Sequence, residues 1–308
     1  MNRRQFLHGL SATIAATWIA RHAPLAASQT RPTEILRRKI LSTGELLPAV
    51  GLGTWQAFMP KDPNAPTQLA PLEEVLKTFF DLGGRVVDTA PAYGHAEAGV
   101  GTLAAKLGIT NELFFATKVS AGGREAAVDQ MNASLKKLHR QSIDLRQVHN
   151  LADATNNLEL LREWKKDGKI KYIGVTHISP GKMGELESCV TAGGIDFVQL
   201  PYSIAMRGAE KSLIPACADN GAAIVVMRPF DGGNLFGKTR GKPLPDSVSA
   251  YATSWGDAFL KWILANEAIT AVLPATGKID HLKDNMNAGF GRLPYAKERD
   301  ELVRLLEL

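Results

Sequence analysis

Residues 113–119 read Leu113-Phe114-Phe115-Ala116-Thr117-Lys118-Val119. The run is apolar without a polar residue at every second place, and it closes on a hydroxyl and a cation. A short run of that kind predicts a parallel strand whose outer face is covered by helices. Seven more runs share the pattern: Ala49–Trp55, Arg85–Ala90, Asp144–Asn150, Tyr172–His177, Phe197–Ser203, Ala222–Phe230 and Ala271–Thr276. Between them lie amphipathic stretches. Leu135 and Leu138, then Leu158, Leu161 and Trp164, then Leu213, Ile214 and Cys217 recur at helical spacing. Asp81-Leu82-Gly83-Gly84 and Ala192-Gly193-Gly194 read as helix exits. Alternating strands and helices predict a parallel sheet, and eight units predict a closed (β/α)8 TIM barrel. Residues 39–48 read as an N-terminal β-hairpin before the first strand. The alternative, an open doubly wound sheet, would carry Gly-x-Gly-x-x-Gly after its first strand. Gly51-Leu52-Gly53-Thr54-Trp55-Gln56 does not.

The chain has 308 residues, 45% of them hydrophobic and 22% charged, which suffices for one large core. Of its formal charge of +5, three units come from Arg3, Arg4 and Arg21 in the first 28 residues, which hold no acid. The remainder is nearly balanced, so the charge argues against a nucleic-acid partner. The two cysteines, Cys189 and Cys217, fit no metal or redox spacing. They are expected to be buried structural thiols, with a disulfide possible outside the cytoplasm.

Residues 2–7, Asn-Arg-Arg-Gln-Phe-Leu, resemble the twin-arginine (Tat) export signal. A mildly apolar stretch from Gly9 to Ala20 follows, then Arg21, then Ala26-Ala27-Ser28 as a small-residue cleavage site. The stretch is too short to cross a bilayer of ~30 Å, so stable membrane insertion is not expected. The expected organisation is a signal peptide over 1–28 and one barrel domain over 29–308. The expected location is the bacterial periplasm, reached through the Tat machinery.

In a barrel of this type the chemistry sits where strands run into the following loops. The second strand ends in Asp88, with Tyr93 in its loop. The third ends in Lys118 and the fourth in His149. An acid, a phenol, an ammonium and an imidazole therefore converge on one cavity. A tyrosine hydroxyl ordinarily titrates near 10, and a lysine cation beside it is expected to lower that value. Asp88 neutralises Lys118, so that the cation is not buried alone. His149 donates a hydrogen bond to a substrate carbonyl. The set is a general acid aimed at a carbonyl oxygen, which suits hydride delivery to the carbonyl carbon.

Gly51-Leu52-Gly53-Thr54-Trp55, Asp88-Thr89-Ala90-Pro91-Ala92-Tyr93-Gly94-His95-Ala96-Glu97, Ala116-Thr117-Lys118 and Gln147-Val148-His149-Asn150 together resemble the motif series of the aldo-keto reductase superfamily. The resemblance runs from about Ile40 to Ala288. It implies an oxidoreductase that moves a hydride between a nicotinamide and an aldehyde or ketone, with Asp88, Tyr93, Lys118 and His149 catalytic and Tyr93 the general acid. It also implies cofactor contacts at Gly53, Thr54 and Trp55. Thr176 and His177 stand where the family holds the nicotinamide amide with a Ser/Thr-Asn pair, and Gln199 stands at the family's glutamine. Arg228, in Met227-Arg228-Pro229-Phe230, is placed where the family often stacks a tyrosine on the nicotinamide. Residues 274–285 resemble the family's adenosine-phosphate loop. There Thr276 and Lys278 would meet the 2′-phosphate of NADP, Asn285 the adenine, and His281 replaces a frequent arginine. The cofactor implied is NADP(H), with NAD(H) possible.

Two other readings stay open: a barrel that retains its cofactor for isomerase or lyase chemistry, and a cofactor-binding barrel without catalysis. The chain stops at Leu308 soon after a last helix pattern over Tyr295–Leu306, which predicts a substrate pocket open at its mouth.

Overall fold

The computed structural model describes residues 34–63 and 65–308. The expected twin-arginine segment lies outside the described residues. The chain begins with a hairpin of β1 (Arg37–Lys39) and antiparallel β2 (Leu46–Pro48). Then come the strands β3 (Leu52–Gly53), β4 (Val86–Asp88), β5 (Phe114–Val119), β6 (Ile143–His149), β7 (Ile170–Thr176), β8 (Phe197–Pro201), β9 (Ala223–Met227) and β10 (Ile269–Val272). All pair in parallel with their sequence neighbours.

The helices are α1 (Pro66–Asp81), α2 (Ala96–Lys106), α3 (Arg124–Lys137), α4 (Ala154–Lys166), α5 (Met183–Thr191), α6 (Leu213–Asp219), α7 (Asn234–Thr239), α8 (Asp246–Ser249), α9 (Trp255–Leu264), α10 (Ile279–Asn287) and α11 (Ala296–Leu305). α1 shows why they form. Pro66 opens it, where a missing N–H costs nothing, and Leu69, Leu72, Val75, Leu76 and Phe79 recur on one buried face. In α9 the N-cap Ser254 hydroxyl accepts from the Asp257 amide at 2.9 Å, and almost every later side chain is buried.

The sheet closes between its first and last strands. Val272 N donates to Ala49 O at 2.9 Å, Gly51 N to Val272 O at 2.9 Å, and Gly53 N to Pro274 O at 3.1 Å. These bonds exclude the open sheet. Closure needs glycine at position 51, where a Cβ would stand 2.7 Å from Leu273 Cδ2 and 2.9 Å from Val86 O. The first strand is shorter than its apolar run predicts, because most of Ala49–Trp55 makes these closing contacts without a continuous ladder. The last strand ends before the expected Thr276, since Pro274 has no N–H to extend the ladder.

Inside the barrel, Val86, Phe114, Ala116, Leu145, Tyr172, Phe197, Ala223, Val225 and Leu273 form a core distinct from the one under the helices. The hairpin adds Ile40 and Leu47 to it, and the Tyr172 hydroxyl bonds to Thr43 and Glu45 of the hairpin turn. The N-terminal end of the barrel is thereby plugged. Cys189 and Cys217 are free thiols. Cys217 is buried as expected, whereas Cys189 is only partly covered. Among the described residues, no helix is long and apolar enough to cross a membrane.

Candidate active site

At the C-terminal ends of the strands opens a pocket of about 950 Å³. Side chains alternate along each strand, so the inward positions above the core can be counted. Above Val86 comes Asp88, and above Phe114 and Ala116 comes Lys118. Above Leu145 come Gln147 and His149, and above Phe197 comes Gln199. The register sets these neighbours side by side, with Asp88 opposite Ala116, Lys118 opposite Gln147, and Thr176 opposite Gln199.

Lys118 and Asp88 form a buried ion pair. Lys118 Nζ lies 2.8 Å from both carboxylate oxygens and donates a further 2.8 Å bond to Thr89 O. Burial pulls the ammonium toward neutrality, but the charges and hydrogen bonds of Asp88 and Tyr93 outweigh it, and the net shift is upward. Lys118 is therefore a cation at any ordinary pH. The end of β4 is fixed from the other side by Thr54, whose amide and hydroxyl donate to Asp88 O at 3.1 and 2.9 Å.

Tyr93 reaches over this pair from the loop after β4, with Lys118 Nζ 5.0 Å from its ring centre. It packs between Trp55, 4.9 Å away, and the edge of His149, 6.0 Å away. Its titration differs from the sequence-based expectation. Burial raises the hydroxyl pKa by more than Lys118 lowers it, and Asp88 adds to the rise. Tyr93 thus stands protonated, as a general acid must. His149 is pushed down to about 4, first by burial and then by the charges of Lys118 and His177, so its imidazole is neutral near pH 7.

The pocket brings together nearly every residue singled out in the sequence. Gly53, Thr54, Trp55, Asp88, Tyr93, Lys118, His149, Thr176, Gln199, Arg228, Thr276, Lys278, His281 and Asn285 all line it. His177 does not. Its ring turns onto its own loop, where Nδ1 accepts from the Ser179 amide at 3.0 Å, and Ile178 takes the place at the wall. Arg228 lines the pocket but not in the expected position. Ala223 and Val225 point into the barrel, so the next inward residue on β9 is Met227, which also lines the pocket. Arg228 follows the strand in a left-handed conformation (φ +54°) and faces Asp231 across 3.5 Å. The wall position expected for a stacking side chain is therefore occupied by the Met227 thioether.

Two positions at or beside the pocket were not singled out in the sequence reading. Gln147 is buried on β6, two residues before His149, and contacts both Asp88 and Gln199. A polar residue inside an apolar strand was the available signal. Asp284 lines the far end of the pocket beside Asn285 and accepts from the Ser254 hydroxyl at 2.8 Å. It lies three residues after His281, on the same helix face.

The residues present fit a dinucleotide. At the pocket wall, buried Thr176 Oγ1 has no hydrogen-bond partner, and an amide-bearing ring is the kind of group that would satisfy it. At the opposite end, the exposed Lys278 precedes the amino terminus of α10, where backbone N–H groups and a cation favour phosphate. Thr276 Oγ1 accepts from the Lys278 amide at 3.1 Å and shapes that turn.

A parallel eight-stranded barrel with an acid, a cation, a phenol and an imidazole at its strand ends defines a carbonyl oxidoreductase. Residues 49–299 match the Aldo/keto reductase family, and the chain belongs to it. Methylglyoxal reductase YeaE of Escherichia coli K12 is 28% identical over 249 residues, covering 78% of this chain and 84% of its own. The NADH-specific methylglyoxal reductase of the same organism is 27% identical over 236 residues, covering 68% and 72%. A crystal structure of an aldo-keto reductase from Klebsiella pneumoniae in complex with NADPH superposes with a TM-score of 0.73 at 22% identity, covering 88% of this chain and 96% of that one.

Proposed function

We propose that the chain is an NADP(H)-dependent reductase of aldehydes and ketones, with Tyr93 as the general acid. The observation that carries this reading is the Lys118–Asp88 pair lying beneath a protonated Tyr93, in a pocket that extends to Lys278 and α10. Thr176 and Gln199 would hold the nicotinamide amide, Met227 would face its ring, and Thr276, Lys278, Asp284 and Asn285 would hold the adenosine end. When bound, the reduced nicotinamide supplies the hydride.

The protein's own residues supply the rest. His149, neutral because it is buried beside a cation, donates a hydrogen bond to the carbonyl oxygen and orients it without adding charge. Tyr93 Oη gives its proton to the same oxygen as negative charge develops there. The phenolate left behind faces the Lys118 cation, and Asp88 keeps that cation paired throughout. Trp55 screens the ring of Tyr93 from one side. The intact ion pair and acid favour catalysis over a purely binding role.

Two of the relatives are named for methylglyoxal reduction, which makes a small α-dicarbonyl the first substrate to test. The expected result is saturable quenching of NADPH fluorescence and loss of NADPH absorbance on adding the aldehyde. Binding without turnover across a panel of aldehydes and ketones would overturn the reductase reading.

We further propose export through the twin-arginine route to the periplasm, on the strength of Arg3-Arg4-Gln5-Phe6-Leu7 and the small-residue site near Ser28. That route carries folded cargo, so the dinucleotide would be loaded before export. Replacing Arg3 and Arg4 together by lysine is expected to retain the precursor in the cytoplasm. Export of that variant at the normal rate would overturn the proposal.

A further inference from the structure

Gln147 is a buried amide between Asp88 of the ion pair and Gln199 at the pocket wall. Its Nε2 stands 3.5 Å from Asp88 Oδ1, a long hydrogen bond, and 3.2 Å from Gln199 Oε1. Its oxygen has no partner. Room for it is made by its cross-strand neighbour Gly174, where a Cβ would lie 2.9 Å from Gln147 Cγ.

Donor and acceptor logic orients this chain of groups. Asp88 is ion-paired to Lys118, and an ionised carboxylate only accepts. The end of Gln147 that faces Asp88 must then be its NH₂, since an amide oxygen there would meet like charge. That NH₂ has two hydrogens, one for Asp88 and one for Gln199. Gln199 must therefore offer its oxygen to Gln147, which leaves its own NH₂ to face the pocket. An isolated glutamine could present either end to a ligand, because its two ends differ little in shape.

We infer that Gln147 is a positioning residue, which carries the charge state of the Asp88–Lys118 pair to Gln199 and holds the Gln199 amide in its donating orientation. The inference rests on the dinucleotide reading above. Gln199 meets an acceptor, the carbonyl oxygen of the ligand's amide, and the hydroxyl of Thr176 is left for the amide's NH₂. The same device ties cofactor affinity to the integrity of the catalytic pair.

The test is a double-mutant cycle read by NADPH fluorescence on the full chain, with Gln147→Met, Gln199→Met and the double variant. Thermal unfolding of each ligand-free protein accompanies it. Gln147→Met is expected to weaken NADPH about tenfold, the worth of one well-placed hydrogen bond. In the Gln199→Met background the same change should have no further effect, because Gln147 acts through Gln199. A purely structural role would instead give independent losses that multiply, and that outcome overturns the inference. So does wild-type affinity in Gln147→Met. Should the methionine variant not fold, Gln147→Glu keeps the shape but puts an acceptor where the donor stood, and it should weaken NADPH at least as much. Wild-type affinity there also overturns the inference. Failure of the wild-type chain itself to bind NADPH removes the dinucleotide reading and this inference together. Binding that ignores both Gln147 variants removes only the inference.

Discussion

Lys118 Nζ sits equidistant, at 2.8 Å, from the two carboxylate oxygens of Asp88, and both side chains are almost wholly buried. Each charge is tolerable only because of the other. Lys118→Met should therefore cost about 3–5 kcal/mol, the usual result of leaving one buried charge unpaired. Combining it with Asp88→Asn should restore much of the stability but none of the turnover. Urea unfolding of the wild type and both variants checks this, and equal stability of the Lys118→Met variant and wild type would refute the pairing argument.

Tyr93→Phe removes one hydroxyl and keeps the ring between Trp55 and His149. Carbonyl reduction should fall by about 10²–10⁴, the range for loss of a general acid. NADPH affinity should hardly change. Full turnover by this variant would mean that another group protonates the carbonyl oxygen.

The pH dependence follows from two shifts of opposite sign. Reduction needs protonated Tyr93, whose pKa is raised, so activity should persist past neutrality and fall only on the alkaline side of the ordinary tyrosine value. His149, lowered to about 4, should add no inflection near its ordinary value of 6.5. Its depressed pKa means that the unfolded chain binds more protons between pH 6.5 and about 4, so stability should decline as pH falls through that window. Unfolding curves for wild type and His149→Asn across that range should converge as pH falls. An activity inflection near neutrality that vanishes in His149→Asn would contradict the neutral-imidazole role.

Lys278 stands just ahead of α10 at the adenosine end of the pocket. NADPH should bind more tightly than NADH, and Lys278→Ala should narrow the ratio by about tenfold, as for loss of one charge-assisted contact. NADH affinity should stay the same. A ratio unmoved by Lys278→Ala would take that residue out of the phosphate site. His281 in place of an arginine should keep the wild-type preference modest.

Gly174→Ala tests the space given to Gln147. The new methyl group would lie 2.9 Å from Gln147 Cγ and 3.1 Å from the Phe197 carbonyl oxygen, which cannot give way as a side chain can. Overpacking of this sort typically costs about 1–3 kcal/mol. Dinucleotide affinity should fall with it. Undiminished stability and affinity would show that the strand has slack there.

Much of the barrel could be read from the chain because parallel strands bury both faces and so leave dense apolar runs. The four proposed catalytic residues were legible because each is chemically distinctive and stands at the end of such a run or, for Tyr93, in the loop that follows it. What was missed depended on counting or on backbone path. The alternation Ala223, Val225, Met227 would have assigned the pocket wall to Met227 and left Arg228 to the loop. His177 is drawn away by a bond to the Ser179 amide two residues on, a choice of loop geometry that no spacing rule encodes. Gln147 stayed hidden because its partners, Asp88 and Gln199, come from strands far apart in sequence. The lowering expected for Tyr93 was half of a balance whose other half, burial, requires coordinates.

The hairpin that fills the lower mouth of the barrel with Ile40 and Leu47 has a consequence for turnover. Among the described residues, apolar side chains fill the barrel axis below the buried ion pair. On the proposed role of Tyr93, the opening for replacing its proton from bulk water is the pocket mouth that would also admit the carbonyl compound and release the alcohol. Reprotonation and product exit therefore compete for one doorway, and an alcohol slow to leave should also delay the recharging of the acid.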